Sequence, residues 1–373
     1  MAKVSIIIPT YNVKPYLREC LDSVVGQTLN DIEILCVNDG STDGSLEIIE
    51  EYAQKDKRIV VISGPNGGYG KAMNKGLNRA TGEYIGIVEP DDYIALNMYE
   101  ELYEKAKFYN ADIVKADFYR FTRNDNGNIN LMYNHLSDSV DDYNRVICPM
   151  SEQHSFKFIM NTWSGIYKRE FIEQYKIRHN ETPGASYQDN GFWFQTFVYA
   201  KKVVFIDKPY YRNRRDNPSS SMFSKTKVYS MNAEYLHIKE LLMEQKSVWE
   251  NVKYIYSYKR YQNYIGTINR IANEFKKQYI LDISEEFKQA EVDGELSSGF
   301  FSADEWNSLQ FIKNDPENYF LFNVLQGDSE KRLQMDLDRA NDRICELEHS
   351  TTFKVGKVIM FLPCKIKDFF IKR

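Results

Sequence analysis

Cysteine is scarce and scattered in this chain. Five cysteines occur among 373 residues, and no two of them have the spacing of a metal site or a redox pair. They are Cys20, Cys36, Cys148, Cys345 and Cys364. An odd, dispersed set excludes a disulfide scaffold, so we expect buried free thiols in a reducing compartment and therefore a cytoplasmic protein.

Histidine pairs and long apolar runs are also missing. The five histidines form no pair at the helical spacing of metal ligands, so no zinc site is expected. No apolar run approaches the roughly 18 to 20 residues that cross a membrane, and Met1-Ala2-Lys3 leads straight into the first apolar run. We therefore expect neither secretion nor membrane insertion. The net charge of -5 makes a nucleic-acid partner unexpected.

Short β-branched runs alternate with amphipathic segments in the first third of the chain. The runs are Val4 to Ile8, Ile32 to Val37 and Tyr84 to Val88, and helical spacing of apolar residues marks Pro15 to Gln27 and Asp43 to Gln54. Uninterrupted apolar strands are typical of sheets covered on both faces. The alternation predicts an α/β fold with a parallel sheet and right-handed crossovers.

Polar motifs follow these strands, where an open parallel sheet binds its ligands. They are Pro9-Thr10-Tyr11-Asn12, Asn38-Asp39-Gly40-Ser41-Thr42-Asp43 and Glu89-Pro90-Asp91-Asp92. The first strand lacks the glycine fingerprint of a dinucleotide-binding dehydrogenase. The stretch Asn66-Gly67-Gly68-Tyr69-Gly70-Lys71-Ala72 lacks the opening glycine and closing hydroxyl residue of a phosphate-binding loop, so a P-loop NTPase is excluded as well.

Three carboxylates crowd the motif Glu89-Pro90-Asp91-Asp92. Such crowding is costly unless a cation neutralises it, and Mg2+ or Mn2+ prefers oxygen ligands and bridges carboxylates to phosphates. Asp91 is the candidate metal ligand. The alternative is an acidic surface turn in which Asp91 or Asp92 caps the next helix. The second motif is likewise an ordinary turn when taken alone, with Asp43 able to cap a helix.

Together the motifs PTYN, NDGSTDGS, NGGYGKAMNKGLNRATGEYI and EPDD resemble the inverting glycosyltransferases of family two, which have the GT-A fold. The likeness is strong over residues 3 to 120 and weaker to Ser221. It implies a Rossmann-like α/β domain that binds a nucleotide diphosphate sugar, usually a UDP-sugar, with a divalent metal. It further implies transfer to a glycan or lipid-linked acceptor in bacterial surface polysaccharide synthesis.

The resemblance also assigns donor-binding residues. They are Pro9, Tyr11, Asn12, Asp39, Lys71, Glu89, Pro90, Asp91 and Arg212. Tyr11 offers a ring for base stacking, worth roughly 1 to 3 kcal/mol, and Asp39 matches the position that recognises uracil. Met73 replaces the arginine usual in the family, so Lys71 is the substitute cation, with a solvated helix lysine as the alternative. Arg212, Arg214 and Arg215 form either a lid over the diphosphate or an exposed basic loop.

An inverting transferase needs a general base, and by resemblance that residue is Asp189. The family often has Glu-Asp at this point, whereas here Gln188 precedes Asp189, which leaves less reason for a raised pKa. The alternative role for Asp189 is the N-cap of a helix from Asn190 to Tyr199. Trp163 and Trp193 are either cleft residues or, as we favour, core residues.

The predicted domains are a GT-A domain at 1–221, with a nucleotide-sugar half at 1–120 and an acceptor half at 121–221, then a helical accessory domain at 222–327. Leu333, Leu337, Ala340, Ile344 and Leu347 have heptad spacing and predict a short coiled coil at 328–350, which would either support a homo-oligomer or dock on the helical domain. The tail 351–373 is basic and aromatic. It predicts peripheral binding to the inner membrane surface, with packing on a neighbouring subunit as the alternative.

The sequence therefore predicts a glycosyltransferase of the hexosyltransferase type. The runner-up is a catalytically weak nucleotide-sugar-binding or scaffold protein, in which Glu89, Met73 and Gln188 mark lost turnover. A nucleotidyltransferase ranks last because the first strand is not followed by a glycine-rich basic loop.

Overall fold

The computed structural model describes residues 2–124, 126–185 and 187–349. The chain divides into two compact units. The first contains Met1–Ala272 and Ala290–Ser302, and the second contains Asn273–Gln289 and the chain from Ala303 onward. The predicted domain limits at 221, 327 and 350 remain predictions, and the basic tail 351–373 lies outside the described residues.

Ten strands within the described residues form one sheet in the first unit. They are β1 Val4–Thr10, β2 Ile32–Asn38, β3 Ile59–Ser63, β4 Tyr84–Ile87, β5 Tyr93–Ile94, β6 Ile113–Arg123, β7 Ile129–Asn134, β8 Val146–Ile147, β9 Gly165–Lys168 and β10 Val203–Arg214. The order is β3-β2-β1-β4-β9-β6-β10-β5, with β7 beside β6 and β8 beside β10. The three predicted strands are parallel neighbours, β2-β1-β4, as expected.

Helices connect and cover these strands. In the first unit they are α1 Lys14–Val25, α2 Ser45–Lys55, α3 Tyr69–Arg79, α4 Met98–Tyr109, α5 Arg169–Gln174, α6 Gln188–Tyr199, α7 Ser230–Met243 and α8 Lys246–Arg270. Helix α9 Asn273–Val292 has residues in both units. The second unit continues with α10 Ala303–Asn314, α11 Pro316–Tyr319, a π turn at Phe320–Gln326 and α12 Gly327–His349.

The core lies where the helices cover the parallel strands. Every residue of β1 is buried, and helix α1 buries Leu17, Leu21 and Val24, which have the spacing of one helical face. Each fully buried aliphatic side chain contributes about 1.5 to 3 kcal/mol. Both faces of β1 therefore pack in the interior, which fixes the polar residues after Thr10 at the carboxyl edge of the sheet.

Strand β10 is longer than the predicted run Val203 to Ile206. It continues to Arg214 after a register shift between Ile206 and Tyr211, a segment that contains Pro209. Proline has no N–H for the ladder and interrupts pairing, but the strand resumes beyond it. The expectation of a polar loop at Arg212 and Arg214 is therefore wrong, because both are strand residues.

The C-terminal segments are helical, as predicted. Helix α12 leaves Leu333, Leu337 and Ile344 exposed, at 74%, 54% and 54% of their surface. The predicted helix is therefore present, and these three apolar residues are exposed to solvent. Whether it forms a coiled coil stays a prediction. None of the helices in the described ranges combines the length and apolar character needed to cross a bilayer.

The cysteines of the described residues are free thiols. Cys20 and Cys36 are buried and Cys148 is half-buried, but Cys345 is exposed, so the expectation of buried thiols is wrong at that position. Cys364 lies outside the described residues.

Candidate active site

A cleft of about 710 Å³ opens at the carboxyl edge of the central strands. Most of the predicted site residues line it, namely Pro9, Tyr11, Asp39, Glu89, Pro90, Asp91 and Asp189. The other predicted residues, Asn12, Lys71 and Arg212, lie outside the lining. The fold thus gathers motifs that are far apart in sequence, because parallel strands β1, β2 and β4 end at the same edge.

Tyr11 and Asn12 follow β1 but differ in what they contact. Tyr11 is 50% exposed, so its ring is free to take a stacking partner. Asn12 has a left-handed backbone with φ of 50°, and its Oδ1 accepts the Thr42 N–H at 2.8 Å while its own N–H donates to Ser41 Oγ at 3.2 Å. Asn12 therefore ties the turn after β1 to the turn after β2.

The Asp39 carboxylate organises the glycine-rich turn before α3. It accepts the Gly67 N–H at 3.0 Å and the Gly68 N–H at 2.8 Å, and Lys75 Nζ lies 3.8 Å away. The side chain of Lys71, by contrast, is exposed on α3. Sequence reasoning missed Lys75, which stands one helical turn after Lys71 and would have been found by extending that face of the helix.

Two glycines of this turn are required by geometry. Gly68 has φ of 92°, a left-handed conformation that side chains disfavour. At Gly70 a Cβ atom would lie only 1.8 Å from Asn180 O. The start of α3 consequently packs directly on the backbone of the loop before α6, and the Tyr69 N–H donates to Gly184 O at 3.0 Å.

The acidic motif after β4 holds its three carboxylates in different surroundings. Glu89 Oε1 accepts from Tyr69 Oη at 2.7 Å, and burial, with the nearby Asp92 and Asp91 charges, raises the pKa of Glu89 to about 8. Asp92 accepts the Arg214 N–H at 2.6 Å and Asn213 Nδ2 at 3.0 Å, and burial raises its pKa to about 8.

Asp91 lines the cleft beside these two acids. Its Oδ2 accepts a hydrogen bond from Asn217 Nδ2 at 2.8 Å. Helix α4 begins at Met98 with Asn97 as its N-cap, so neither Asp91 nor Asp92 caps it, and the alternative of a capping turn is wrong.

Arg214 lines the cleft and is bonded to the acidic motif. Its side chain is 3% exposed, pairs with Glu19 and Asp216, and donates from Nε to Asp91 O at 2.7 Å. Arg212 stacks 4.6 Å from the Tyr119 ring and donates to Pro209 O. Arg214 therefore belongs to the scaffold of the site, and Arg212 points to neighbours outside the cleft.

Asp189 lies in the first turn of α6, which begins at Gln188 after Tyr187. The alternative role of Asp189 as the N-cap is wrong, because Tyr187, with φ of 68°, occupies that position. Burial raises the pKa of Asp189 above its usual 3.8, even without a neighbouring glutamate at position 188.

Gln188 binds the loop in front of the cleft. Its Nε2 donates to Thr182 O at 3.1 Å, to Thr182 Oγ1 at 2.9 Å and to Gly184 O at 3.0 Å. An ionised glutamate has no hydrogen to donate. The departure from the family pattern is therefore explained by the three oxygens that this side chain faces.

Glu234 on α7 is a functional candidate that sequence reasoning missed. Its Oε1 accepts the Gly191 N–H at 3.1 Å and its Oε2 accepts Asn180 Nδ2 at 3.0 Å, so it fixes the start of α6 and the loop before it. Burial raises its pKa to about 7, with the Asp189 charge adding to the shift. The available signal was its place among Met231, Tyr235 and Ile238 on the buried face of α7.

The two tryptophans have different surroundings. Trp193 is buried and stacks on Phe197 at 4.2 Å, which confirms the core assignment. Trp163 lines the cleft and stacks on Tyr211 at 4.3 Å, so the core assignment is wrong for Trp163.

Comparison with known families gives the decisive observation. Residues 5–193 match the family described as glycosyl transferase family 2. The chain belongs to this family. The resemblance inferred from the motifs is therefore confirmed. Most of the residues that line the cleft, up to Asp189, lie within the matched range, and the rest, from Asn213 to Lys227, follow it.

Curated relatives within the family are bacterial proteins. The uncharacterized glycosyltransferase EpsJ of Bacillus subtilis (strain 168) is 39% identical over 223 residues, covering 58% of this chain and 62% of that protein. Glycosyltransferase GlyA of Streptococcus pneumoniae serotype 4 is 36% identical over 222 residues, covering 57% of this chain and 30% of that protein. The chain thus spans less than two thirds of the length of these two relatives.

Solved structures show the fold. The crystal structure of Staphylococcus aureus TarS 1-349 is similar with a TM-score of 0.57 and 22% identity, covering 85% of this chain and 89% of that chain. The complex of TarS 1-349 with UDP-GlcNAc gives a TM-score of 0.58 at 21% identity. The predicted GT-A fold with helices toward the C-terminus is confirmed.

Proposed function

We propose that this chain is an inverting glycosyltransferase that moves a sugar from a UDP-linked donor to a hydroxyl of a glycan or lipid-linked acceptor, in bacterial surface polysaccharide synthesis. The observation that carries the proposal is the single cleft lined by Tyr11, Asp39, Asp91 and Asp189. These residues supply a stacking ring, an acceptor for a base N–H, a metal-binding carboxylate and a base in one place.

The nucleotide would lie at the ends of β1 and β2. The exposed ring of Tyr11 would stack on uracil, and the Asp39 carboxylate, already fixed by Gly67 and Gly68, has lone pairs left for the uracil N–H. Pro9 and Pro90 form rigid walls of the same cleft. A fixed carboxylate would select the base without having to reorganise when it binds.

The donor set of the acidic motif fits a divalent cation. Asp92 is buried and accepts from Asn213 and Arg214, and Glu89 accepts from Tyr69. Asp91 is half-exposed in the cleft and accepts from Asn217 through Oδ2, so its Oδ1 is the proposed ligand atom for Mg2+ or Mn2+. One or two carboxylates together with substrate phosphates is the usual Mg2+ arrangement. When bound, the cation would neutralise charge on the leaving diphosphate. Asn217, which donates to Asp91, would orient that carboxylate.

Asp189 would take the proton from the acceptor hydroxyl as the hydroxyl attacks the anomeric carbon. Burial raises its pKa and so makes it a stronger base once ionised. Glu234 would hold the start of α6 in place through the Gly191 N–H and thereby orient Asp189. The proton would pass to Asp189 Oδ while the sugar–phosphate bond breaks.

Similar proteins support the donor assignment, since TarS has been solved with UDP-GlcNAc. A peripheral position at the inner membrane surface, with the tail 351–373 on lipid, remains part of the proposal. The scaffold alternative differs in one respect, because a scaffold would bind the nucleotide sugar without hydrolysing or transferring it.

The test is calorimetric binding of UDP with Mn2+, with Mg2+ and with chelator, to the native chain and to Asp91→Ala. We expect binding that needs the metal and is at least tenfold weaker in the variant, because loss of a charged ligand costs about 1.5 to 3 kcal/mol. Asp138→Ala, a change at an exposed acid, is the matched control and should bind like the native chain.

Failure of UDP to bind under any of these conditions would contradict the donor assignment. Binding that is indifferent to chelator and to Asp91→Ala would remove the metal from the proposal while keeping the nucleotide. A panel of UDP-sugars then identifies the donor by the hydrolysis that each one undergoes.

A further inference from the structure

The arginines around the acidic motif fall into two groups. Arg214 pairs with Glu19 and Asp216, and Arg123 pairs with Glu19 at 2.7 Å. Arg120 and Arg215 have no carboxylate partner within the described residues, and the Nε atom of each is buried without a hydrogen-bond acceptor. Both side chains are only half-buried, but a buried N–H donor without an acceptor costs free energy, so these two Nε atoms call for an explanation.

Arg120 and Arg215 do not line the cleft themselves, but they lie on the same sheet face as Asn213, which does. Arg120 on β6 is in register with Asn213 on β10, so the two point to the same face, and Asn213 lines the cleft. The Arg215 N–H donates to Phe121 O at 2.8 Å, which extends the strand by one residue. Alternation then places Arg215 on the same side as Asn213.

Nearby groups do not supply hydrogen-bond acceptors for the Nε atoms of these two arginines. Arg215 Nη1 contacts Met222 Sδ at 2.6 Å, and a thioether is a weak acceptor. Arg120 packs 5.7 Å from the Phe118 ring. The strand register places Arg120 and Arg215 on adjacent strands, two positions apart and on the same face. Burial lowers the pKa of both arginines, and the charge of Arg120 lowers that of Arg215 further, while the charges of Asp92 and Asp91 raise it.

The nearest acids are already engaged. Asp92 accepts from the Arg214 N–H and from Asn213, and Asp91 accepts from Asn217. Two adjacent guanidiniums with free Nε donors match the fork geometry of a phosphate or carboxylate. An anionic ligand from outside the chain would therefore supply what the protein itself does not.

The sheet order gives the side of the cleft on which this ligand lies. The nucleotide end of the proposed donor site is at β2 and β1, and the acidic motif follows β4. Strands β6 and β10 lie beyond β4 in the other direction, separated from it by β9. A group held there would be across the acidic motif from the nucleobase, on the acceptor side.

Building on the proposed function, we infer that Arg120 and Arg215 form an acceptor subsite that binds an anionic group, a phosphate or a carboxylate, of the acceptor glycan. Met222, which lines the cleft and contacts Arg215, lies at the border between this subsite and the site of transfer. The acceptor class is thus an acidic polymer or a phosphate-bearing lipid-linked glycan rather than a neutral sugar.

The test is 31P NMR titration of inorganic phosphate into the full chain whose donor site is filled with UDP and Mg2+. We expect phosphate to bind the native chain, and Arg120→Gln and Arg215→Gln each to weaken it about tenfold or more, as expected for a lost charged hydrogen bond. Arg123→Gln, on the same strand but paired with Glu19, is the matched control and should bind phosphate like the native chain.

UDP binding and far-UV circular dichroism of each variant show whether it is folded. Arg120→Lys with Arg215→Lys keeps both charges without the fork, and should bind phosphate more weakly than the native chain but more tightly than the double glutamine variant. Added glycerol phosphate or glucuronate should displace the phosphate, and the stronger competitor identifies the anionic group that the subsite prefers.

Phosphate affinity that is equal in the native chain and the double glutamine variant would overturn the inference. Phosphate that binds in the same arginine-dependent way only when UDP is left out would overturn it too, since the arginines would then belong to the donor site. UDP binding is recorded first in this series. Its absence refutes the proposed function, whereas UDP binding with arginine-independent phosphate refutes the acceptor subsite alone.

Discussion

At the scale of single residues, the carboxyl groups of Asp189 and Glu234 differ in burial and in hydrogen-bond partners. Asp189 and Glu234 interact electrostatically, because the negative charge of Asp189 contributes to the raised pKa of Glu234. Asp189 lines the cleft, while Glu234 is buried behind it against Gly191 and Asn180. One carboxyl therefore faces the cleft, and the other is bonded to the start of the helix that carries the first.

Asp189→Asn tests the proposed base. We expect the rate of transfer, or of UDP-sugar hydrolysis, to fall about 10²- to 10⁴-fold, because an amide cannot take the acceptor proton. Affinity for UDP should be unchanged, as measured by calorimetry. Asp138→Asn at an exposed acid should keep the native rate, and an unchanged rate in Asp189→Asn would contradict the assignment.

Glu234→Gln tests the buried carboxyl through stability. The pKa of Glu234 is about 7 in the folded chain against its usual 4.5, so the folded state holds an extra proton between these values. The free energy of unfolding should then fall by roughly 3 kcal/mol as the pH rises from about 4.5 to about 7. Glutamine does not titrate, so this contribution should be missing from urea unfolding curves of the variant.

Glu240→Gln on the same helix is the control, since Glu240 is exposed. It should retain the native pH dependence. A native-like pH dependence in Glu234→Gln would show that another group causes the shift.

The sequence motifs pointed to cleft residues at the ends of strands and the start of α6, but not to residues that reach the site from other helices. Asp39, Asp91 and Asp189 follow or begin regular elements, where motif and position agree. Glu234 and Lys75 are placed by packing between distant segments, and a single sequence does not give the partners that face them. The raised pKa of Asp189 was missed for a similar reason, since burial is a property of the folded chain.

At the scale of elements, the cleft wall is the contact between the glycine-rich turn before α3 and the loop before α6. Gly70 packs on Asn180 O, Tyr69 donates to Gly184 O, and Gln188 reaches back to Thr182 and Gly184. The contacts of Gly70 and Tyr69 join segments remote in sequence, and the Gln188 bonds hold the loop itself to the start of α6. The glycine-rich turn before α3 and the start of α6 are therefore positioned by one shared structure.

Gln188→Glu should loosen that wall. The introduced carboxylate would face the carbonyl oxygens of Thr182 and Gly184 with no hydrogen to donate, at a cost of about 1 to 3 kcal/mol. Urea unfolding measures the loss, and hydrogen exchange of the Tyr69 amide, which donates to Gly184 O, should accelerate. The change Gln174→Glu at an exposed position should have no effect, and a Gln188→Glu variant with native exchange would contradict the role of this side chain.

The elements themselves were largely predictable. Strands β1, β2 and β4 and helices α1 and α2 follow from apolar runs and helical spacing, with ends that moved by only a few residues. Strand β10 was underpredicted because Pro209 and the arginines after it resemble a loop, whereas pairing with β6 maintains the strand. The order of the strands beyond β4 could not be predicted from the sequence and is known only from the structure.

At the scale of the whole molecule, the chain adds helices to a family-2 domain. The second unit ends its described part with α12, whose Leu333, Leu337 and Ile344 are exposed. Exposed leucines at heptad spacing are typical of a helix that pairs with another helix. The predicted homo-oligomer would use this side of α12.

Replacing Leu333, Leu337 and Ile344 together by serine tests that oligomer. If the native chain is larger than its 43.9 kDa monomer by light scattering, the triple variant should return to the monomer mass without losing helicity. Replacing the exposed Asp342 and Arg343 by serine should leave the native mass unchanged. A monomeric native chain, or an oligomer that survives the triple change, would contradict the prediction.

The missing side chain at Gly70 constrains anyone who would redesign this protein for a new acceptor. A variant library would naturally diversify the loop around Asn180, but the backbone of that loop lies where a Cβ at position 70 would be. Loop designs must therefore be screened with codon 70 held as glycine. Insertions that lift the loop away from the helix would free that codon to vary.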